Sequence, residues 1–277
     1  MHIETLVIAT MHGKERAIGP VLERDLRCRC IVPRFFDTDC FGTFSGEIPR
    51  LDSAINTARK KCQAAFDLLG IPHVIASEGS FGPHPVFPLT NCESELLLYY
   101  NFDKNYEVCV HEIFTDIRFG SQKVCTLDEL FRFAHQNFFP SHYLILESDF
   151  LGAGQTIKGI HDWEHLANEF EQMIDRHGQC HVSTDMRAMN NPTRMKNIAI
   201  TAQKISERLK SFCPQCNQHG FGEVDIIRGR LCELCGAPTN VPTSILLQCT
   251  NCGFESPRPI PSDKLYADPG CCDFCNP

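Results

Sequence analysis

Apolar positions along the chain fall into two patterns: short continuous runs, and stretches that recur every three or four residues. Leu6-Val7-Ile8-Ala9, Cys30-Ile31-Val32, His73-Val74-Ile75-Ala76, Tyr143-Leu144-Ile145-Leu146 and the HVST of residues 181–184 are of the first kind and predict strands, the first of them buried. The second kind predicts helices. Arg16 to Leu22 opens one, and Leu51, Ile55, Ala58, Cys62, Ala65 and Leu69 stripe another that Gly70 ends. Thr126 followed by Glu129 is a capping box for a helix to about Phe138. Ile160, Trp163, Leu166, Phe170 and Met173 mark a helix closed by His177-Gly178. Asn191-Pro192 then starts a last helix striped by Met195, Ile198, Ala202, Ile205, Leu209 and Phe212. Around Asn101-Phe102-Asp103-Lys104-Asn105, two apolar segments at 95–100 and 106–114 predict a β-hairpin.

Strands alternating with helices predict an α/β domain with a mixed, largely parallel sheet over residues 1–211. Ligands of open α/β sheets bind beyond the carboxyl ends of the strands. LVIAT leads into MHGKE, HVIAS into EGSFGPHP, and HVST into DMRAMNNPTR, so parallel strands would put these polar loops along one edge. The loop from Asp37 to Glu47 would close over them. Carboxylates at Asp37, Asp39, Glu47, Glu78 and Asp185 are oxygen ligands suited to Mg²⁺, and Lys14, Arg187 and Arg194 would neutralise a phosphate group. Lys14, Glu47, Glu78, Asp185 and Arg187 form the candidate catalytic set; Asp37, Asp39 and Arg194 form a cofactor-binding set. The same residues have plainer uses. Asp37 and Asp39 suit Asx-turns, Glu78 and Asp185 suit internal pairing with arginine, and His12 and His84 suit ordinary polar loops.

Charge narrows the partners. A net charge of −8 gives no global field for nucleic acid or an acidic membrane. No apolar stretch approaches the ~18 residues of a membrane span, and the N-terminus lacks a basic signal region, so a cytoplasmic protein is expected.

The cysteines change the picture further. Of 17, eight are scattered singly before residue 213 and nine crowd into the tail. Four C-x-x-C knuckles stand there: Cys213/Cys216, Cys232/Cys235, Cys249/Cys252 and Cys272/Cys275. Two knuckles supply the four thiolates of a closed tetrahedral Zn²⁺ site, so residues 212–277 are expected to form a zinc-ribbon domain with two structural ions. Two pairings are open: first with second and third with fourth, or second with third inside first with fourth. Each gap between knuckles suits a short hairpin. Arg228, Arg230, Arg258 and Lys264 face seven acids in this tail, an unfavourable footprint for nucleic acid. A protein contact suits it better.

Taken together, IATMHGKE, DTDCFGTFSGEIPR, ASEGSFGPHP, STDMRAMNNPTRM and the knuckled tail resemble a bacterial family known only as a domain of unknown function. That resemblance spans nearly the whole chain and carries no assigned site residue. A weaker likeness, in the order of IATMHGKE, GTFSGE and ASEGSF, is to the inosine-triphosphate pyrophosphatases. It implies Mg²⁺-dependent hydrolysis of a nucleotide. Here His12 stands near that group's asparagine, Lys14 is one residue early, and Ile-Pro-Arg follows Glu47. Two functions follow as expectations: a Mg²⁺-dependent hydrolase or transferase acting on a phosphorylated small molecule, or a binding protein that uses its zinc tail for protein contact.

Overall fold

The structure is a computed structural model and describes residues 3–34, 36, 52–149 and 154–276. The chain divides into two compact units, one ending at Ser206 and the other starting at Glu207.

In the first unit a five-stranded sheet has the order β2-β1-β3-β4-β5. Its strands are β1 (Thr5–Ala9), β2 (Arg29–Ile31), β3 (His73–Pro83), β4 (Asn91–Asn101) and β5 (Tyr106–Phe114). Only β2-β1 and β1-β3 are parallel; β3-β4 and β4-β5 are antiparallel. A second sheet, β6-β9-β7-β8, is antiparallel throughout: β6 (Ser121–Val124), β7 (Leu144–Glu147), β8 (Thr156–Ile160) and β9 (Cys180–Thr184). The expected largely parallel sheet is therefore corrected. The chain turns back through hairpins after β3, and the LILE and HVST strands belong to a different sheet from β1 and β3.

Helix α2 (Ala54–Leu69) begins at Ser53, whose side chain accepts from the Asn56 N–H, and ends at Gly70 with φ 66°. It lays Ala58, Cys62 and Ala65 on Val7, Ala9, Val74, Ala76, Leu96 and Leu98. Three small side chains in one stripe let the helix lie close to the sheet, and each larger aliphatic buried there contributes about 1.5–3 kcal/mol. Alternation along β4 sends Glu93, Glu95, Leu97 and Tyr99 to the opposite face. There α1 (Glu15–Leu26) brings Gly19 beside Ile8. Helix α5 (Pro192–Lys210) meets the same face through Arg194 and Asn197.

The second sheet packs on α3 (Leu127–Gln136) and α4 (Trp163–His177) around Leu130, Phe133, Leu144, Leu146, Leu166 and Phe170. Thr126 caps α3, accepting from the Glu129 N–H, as the capping box predicts. Ile160, expected on α4, ends β8 instead, and Phe212, expected in the α5 stripe, is half exposed.

The second unit holds one antiparallel sheet, β10 (Gly222–Arg228), β11 (Pro242–Gln248) and β12 (Glu255–Pro259). Each gap between knuckles contributes one strand to this sheet, so the expected separate hairpins do not form. No described helix is long and apolar enough to cross a membrane.

Candidate functional sites

The first unit carries a charged cluster inside its fold. Glu93 and Glu95, two residues apart on β4, project together toward α5 and are almost wholly buried. Arg194, 1 % exposed, donates from Nε to Glu95 Oε1 at 2.8 Å, pairs through Nη2 with the same oxygen at 2.8 Å, and donates from Nη1 to the Met186 carbonyl. Its guanidinium lies 5.2 Å from the centre of the Phe81 ring. Asn197, one turn further on, donates to Glu93 Oε2 at 2.6 Å. Lys14 Nζ lies 3.8 Å from Glu95 Oε2. Space for these groups comes from Gly79, directly opposite Glu95 in the β3-β4 register. A Cβ there would sit 2.3 Å from Glu95 Oε1 and 2.4 Å from Arg194 Nη2.

Electrostatics in this cluster are strongly perturbed. Burial, tempered by Glu95, lowers Lys14 to about 8. Burial and the neighbouring Glu95 push Glu93 up to about 8. Burial also acts to raise Glu95, but Lys14 and Arg194 outweigh it and hold the carboxyl below its usual range. Ser77 Oγ, Glu93 Oε1 and Glu95 Oε2 are buried with no hydrogen-bond partner among the described residues.

The predicted site residues are partly gathered here. Lys14 and Arg194 share Glu95, and the loop between β1 and α1 touches the turn after β9, where Gly13 approaches Met189. Glu78 is not on a loop. It lies inside β3 on the α2 side and pairs with Lys61 Nζ at 2.5 Å. The strand continues to Pro83 because every residue from His73 onward pairs with β4. Asp185 is fully buried and accepts from Arg187 Nε at 3.0 Å and Nη2 at 2.6 Å, and from Asn190 Nδ2 at 2.8 Å. Burial would raise its pKa, yet these donors hold it below the usual range. Asn191 caps α5, accepting from the Arg194 N–H at 3.0 Å. His84 serves its own turn, accepting from the Val86 and Phe87 N–H groups on Nδ1. Asp37, Asp39 and Glu47 lie outside the described residues.

Glu78 and Asp185, offered as Mg²⁺ ligands, are thus occupied by Lys61, Arg187 and Asn190. Among the described residues, only cysteines gather in groups fit for a metal ion. A cleft of about 590 Å³ lies elsewhere, lined by His135, Phe138, Phe139, Pro140, Ser141, Tyr143 and His161, and uses none of the predicted residues. Sequence reasoning missed Glu93, Glu95, Lys61 and Asn197. Their signal was legible: two acids at alternate positions entering the run Leu96-Leu97-Leu98, and polar residues at the spacing of the apolar helical stripes.

The tail gathers its eight knuckle cysteines into two groups of four. Cys213 and Cys216 meet Cys249 and Cys252; Cys232 and Cys235 meet Cys272 and Cys275. In each group the sulfurs all lie within 4.8 Å of one another. Facing pairs stand 3.7 Å apart for Cys213–Cys252 and Cys216–Cys249, 3.8 Å for Cys232–Cys275 and 3.6 Å for Cys235–Cys272. Four thiolates at about 2.3 Å from a tetrahedral ion would lie about 3.8 Å apart, so the spacing fits Zn²⁺. First pairs with third and second with fourth, so neither expected pairing holds. The three strands explain this: each returns the chain across the unit, so successive knuckles alternate between the two groups.

Local backbone geometry prepares the knuckles. In the first three, the leading cysteine N–H donates to the carbonyl five residues on and its carbonyl accepts from the N–H four residues on. The residue after the second cysteine takes positive φ in each: Asn217 at 57°, Gly236 at 72° and Gly253 at 73°. Glycine and asparagine are the residues that tolerate that region.

A family model described as a domain of unknown function, DUF6671, matches residues 61–277. The chain belongs to that family. The DUF6671 match takes in Lys61, the two glutamates of β4, Arg194 and all eight knuckle cysteines, and begins after Lys14. No curated protein matches the chain.

Proposed function

We propose that this DUF6671 protein is a binding protein whose tail, folded around two structural Zn²⁺ ions, makes a protein contact. One observation carries the reading: the cysteines interleave into two closed four-sulfur groups, which leave no open position for metal chemistry. The state of the acids in the first unit supports it, since Glu78, Glu95 and Asp185 are spent on internal cations. For a tail with this few large buried side chains, zinc supplies much of the folding free energy, on the order of 10 kcal/mol per site. The test pairs two measurements on the full chain. Removing zinc should abolish partner capture while the unfolding transition reported by Trp163 persists. No Mg²⁺-dependent turnover of nucleoside triphosphates or sugar phosphates should occur. Turnover that disappears in Lys14→Met would defeat the reading.

A second reading rests on Lys14 and Glu93. Both are held near 8 in a buried cluster where Ser77 Oγ, Glu93 Oε1 and Glu95 Oε2 make no hydrogen bond among the described residues, a combination typical of proton-transfer sites. It keeps a phosphorylated small molecule as substrate, with Arg187 as its cation: this side chain is partly exposed and follows Met186, whose carbonyl accepts from Arg194. A pH–rate profile with a limb near 8 that is lost in Glu93→Gln would favour it over the first.

A further inference from the structure

The two cysteine groups are built alike but do not face their surroundings alike. Each knuckle presents the residue before its second cysteine at the tip of a tight turn. In the first group those residues are polar, Gln215 and Asn251, and Asn251 Nδ2 donates back to Cys216 Sγ. In the second group they are Leu234 and Phe274, 73 % and 79 % exposed. The segment before Ala267 adds to this apolar surface. Ala267 bridges to Cys232: its N–H donates to the Leu231 carbonyl at 2.8 Å and its carbonyl accepts from the Glu233 N–H at 3.0 Å. That pairing brings Leu265 and Tyr266, both exposed, alongside the second knuckle. Four large apolar side chains thus surround one metal group and none of the equivalent turn positions of the other. In a unit with few large buried side chains, such a concentration marks an interaction surface.

The charges around it select the occupant. Glu233, Asp263, Asp268 and Asp273 are all exposed within the same segments, against Lys264 as the one free-standing base among them. Arg230 is turned onto carbonyls, donating to Lys264 at 2.9 Å and Pro242 at 3.2 Å. A Zn²⁺ ion held by four thiolates adds a formal charge of −2 beneath the turns. We infer that the face of the second cysteine group, built on Leu234, Leu265, Tyr266 and Phe274, docks a cationic amphipathic segment of a partner protein. Its apolar side chains would cover the knuckle tips and its lysines or arginines would meet the surrounding acids. The inference rests on the binding-protein reading and gives the partner its chemistry.

The test uses the full-length zinc-loaded chain and a fluorescein-labelled amphipathic peptide of leucine and lysine, with the leucines on one helical face. Fluorescence anisotropy should show saturable, salt-sensitive binding. Leu234→Ser and Phe274→Ser should each weaken it roughly tenfold or more, and the charge reversals Glu233→Lys and Asp273→Lys should weaken it and flatten its salt dependence. Gln215→Ser, at the matching turn of the first group, should leave it unchanged. Metal content is measured on every variant, so a lost zinc ion is not mistaken for a lost contact. No saturable binding by the parent chain overturns the inference, as does equal binding of a leucine–glutamate peptide or equal affinity in Phe274→Ser. Dimerisation of the parent chain that Phe274→Ser abolishes would also overturn it, by making a second copy the occupant. These failures differ from failure of the broader reading, which would show as Mg²⁺-dependent turnover.

Discussion

Replacing Arg194 with methionine is the sharpest perturbation of the first unit. The side chain is 1 % exposed and carries the charge that faces Glu95, with a second, longer pairing to Glu93 Oε1 at 3.7 Å. Methionine fills much of the volume but leaves Glu95 with Lys14 alone at 3.8 Å and the Met186 carbonyl without its guanidinium donor. Breaking a buried pair by removing one partner costs about 3–5 kcal/mol, because the remaining charge stays desolvated. With a denaturant slope of roughly 2 kcal/mol/M for a unit of this size, the urea midpoint should fall by about 2 M. The single tryptophan, Trp163, lies in this unit and reports its transition by fluorescence. The deficit should shrink toward acid pH. In the parent chain Glu95 is depressed, so its contribution is lost as pH falls through the folded pKa; without Arg194 that carboxyl is freer to protonate inside the fold. Arg194→Lys should recover little, since lysine lacks the planar fork that reaches Glu95 from Nε and the Met186 carbonyl from Nη1. A loss below about 1 kcal/mol, the scale of an exposed pair, would refute the cluster as a buried, mutually dependent unit.

Three further outcomes follow from the same geometry. Gly79→Ala places a methyl against Glu95 and Arg194 and should destabilise by at least about 1–3 kcal/mol in the same urea assay, more if the ion pair opens. Stability of the first unit against pH should dip near 8. Glu93, raised in the fold, favours the folded state at low pH and loses that advantage as pH rises from its unfolded value toward 8. Lys14, lowered in the fold, makes stability recover between about 8 and its unfolded value of 10.5. Glu93→Gln should remove the acid limb of that dip, and urea titrations across pH check it. Thr126→Ala should cost about 1 kcal/mol by stripping the α3 cap, as differential scanning calorimetry would show.

Local grammar was the legible part of this fold. Gly70 and Gly178 stand where α2 and α4 end in positive φ, Thr126 and Asn191 cap the helices their positions predicted, and the turn at 101–105 joins two paired strands. Longer-range organisation was not legible. HVIAS reads as a short buried strand ending at a polar loop, yet Glu78 and Gly79 continue it, because Lys61 on α2 neutralises the acid and Glu95 folds across the glycine. Nothing within either segment announces the partner that makes this acceptable. Which sheet a strand joins is likewise settled by hairpins and crossovers outside it, so β7 and β9 read like β1 and β3 but pair elsewhere. The knuckles show the same limit. Spacing specifies which two sulfurs converge in each turn, whereas the pairing of turns depends on how three strands return the chain.

Paired substitutions read by zinc content decide how the knuckles pair. Native mass spectrometry of the full chain should find two zinc ions. Cys213→Ser with Cys249→Ser damages one group and should leave one ion bound. Cys213→Ser with Cys232→Ser damages both and should leave none held at full occupancy. If the second variant instead keeps one ion and the first loses both, the knuckles pair in sequence and the interleaved account is contradicted.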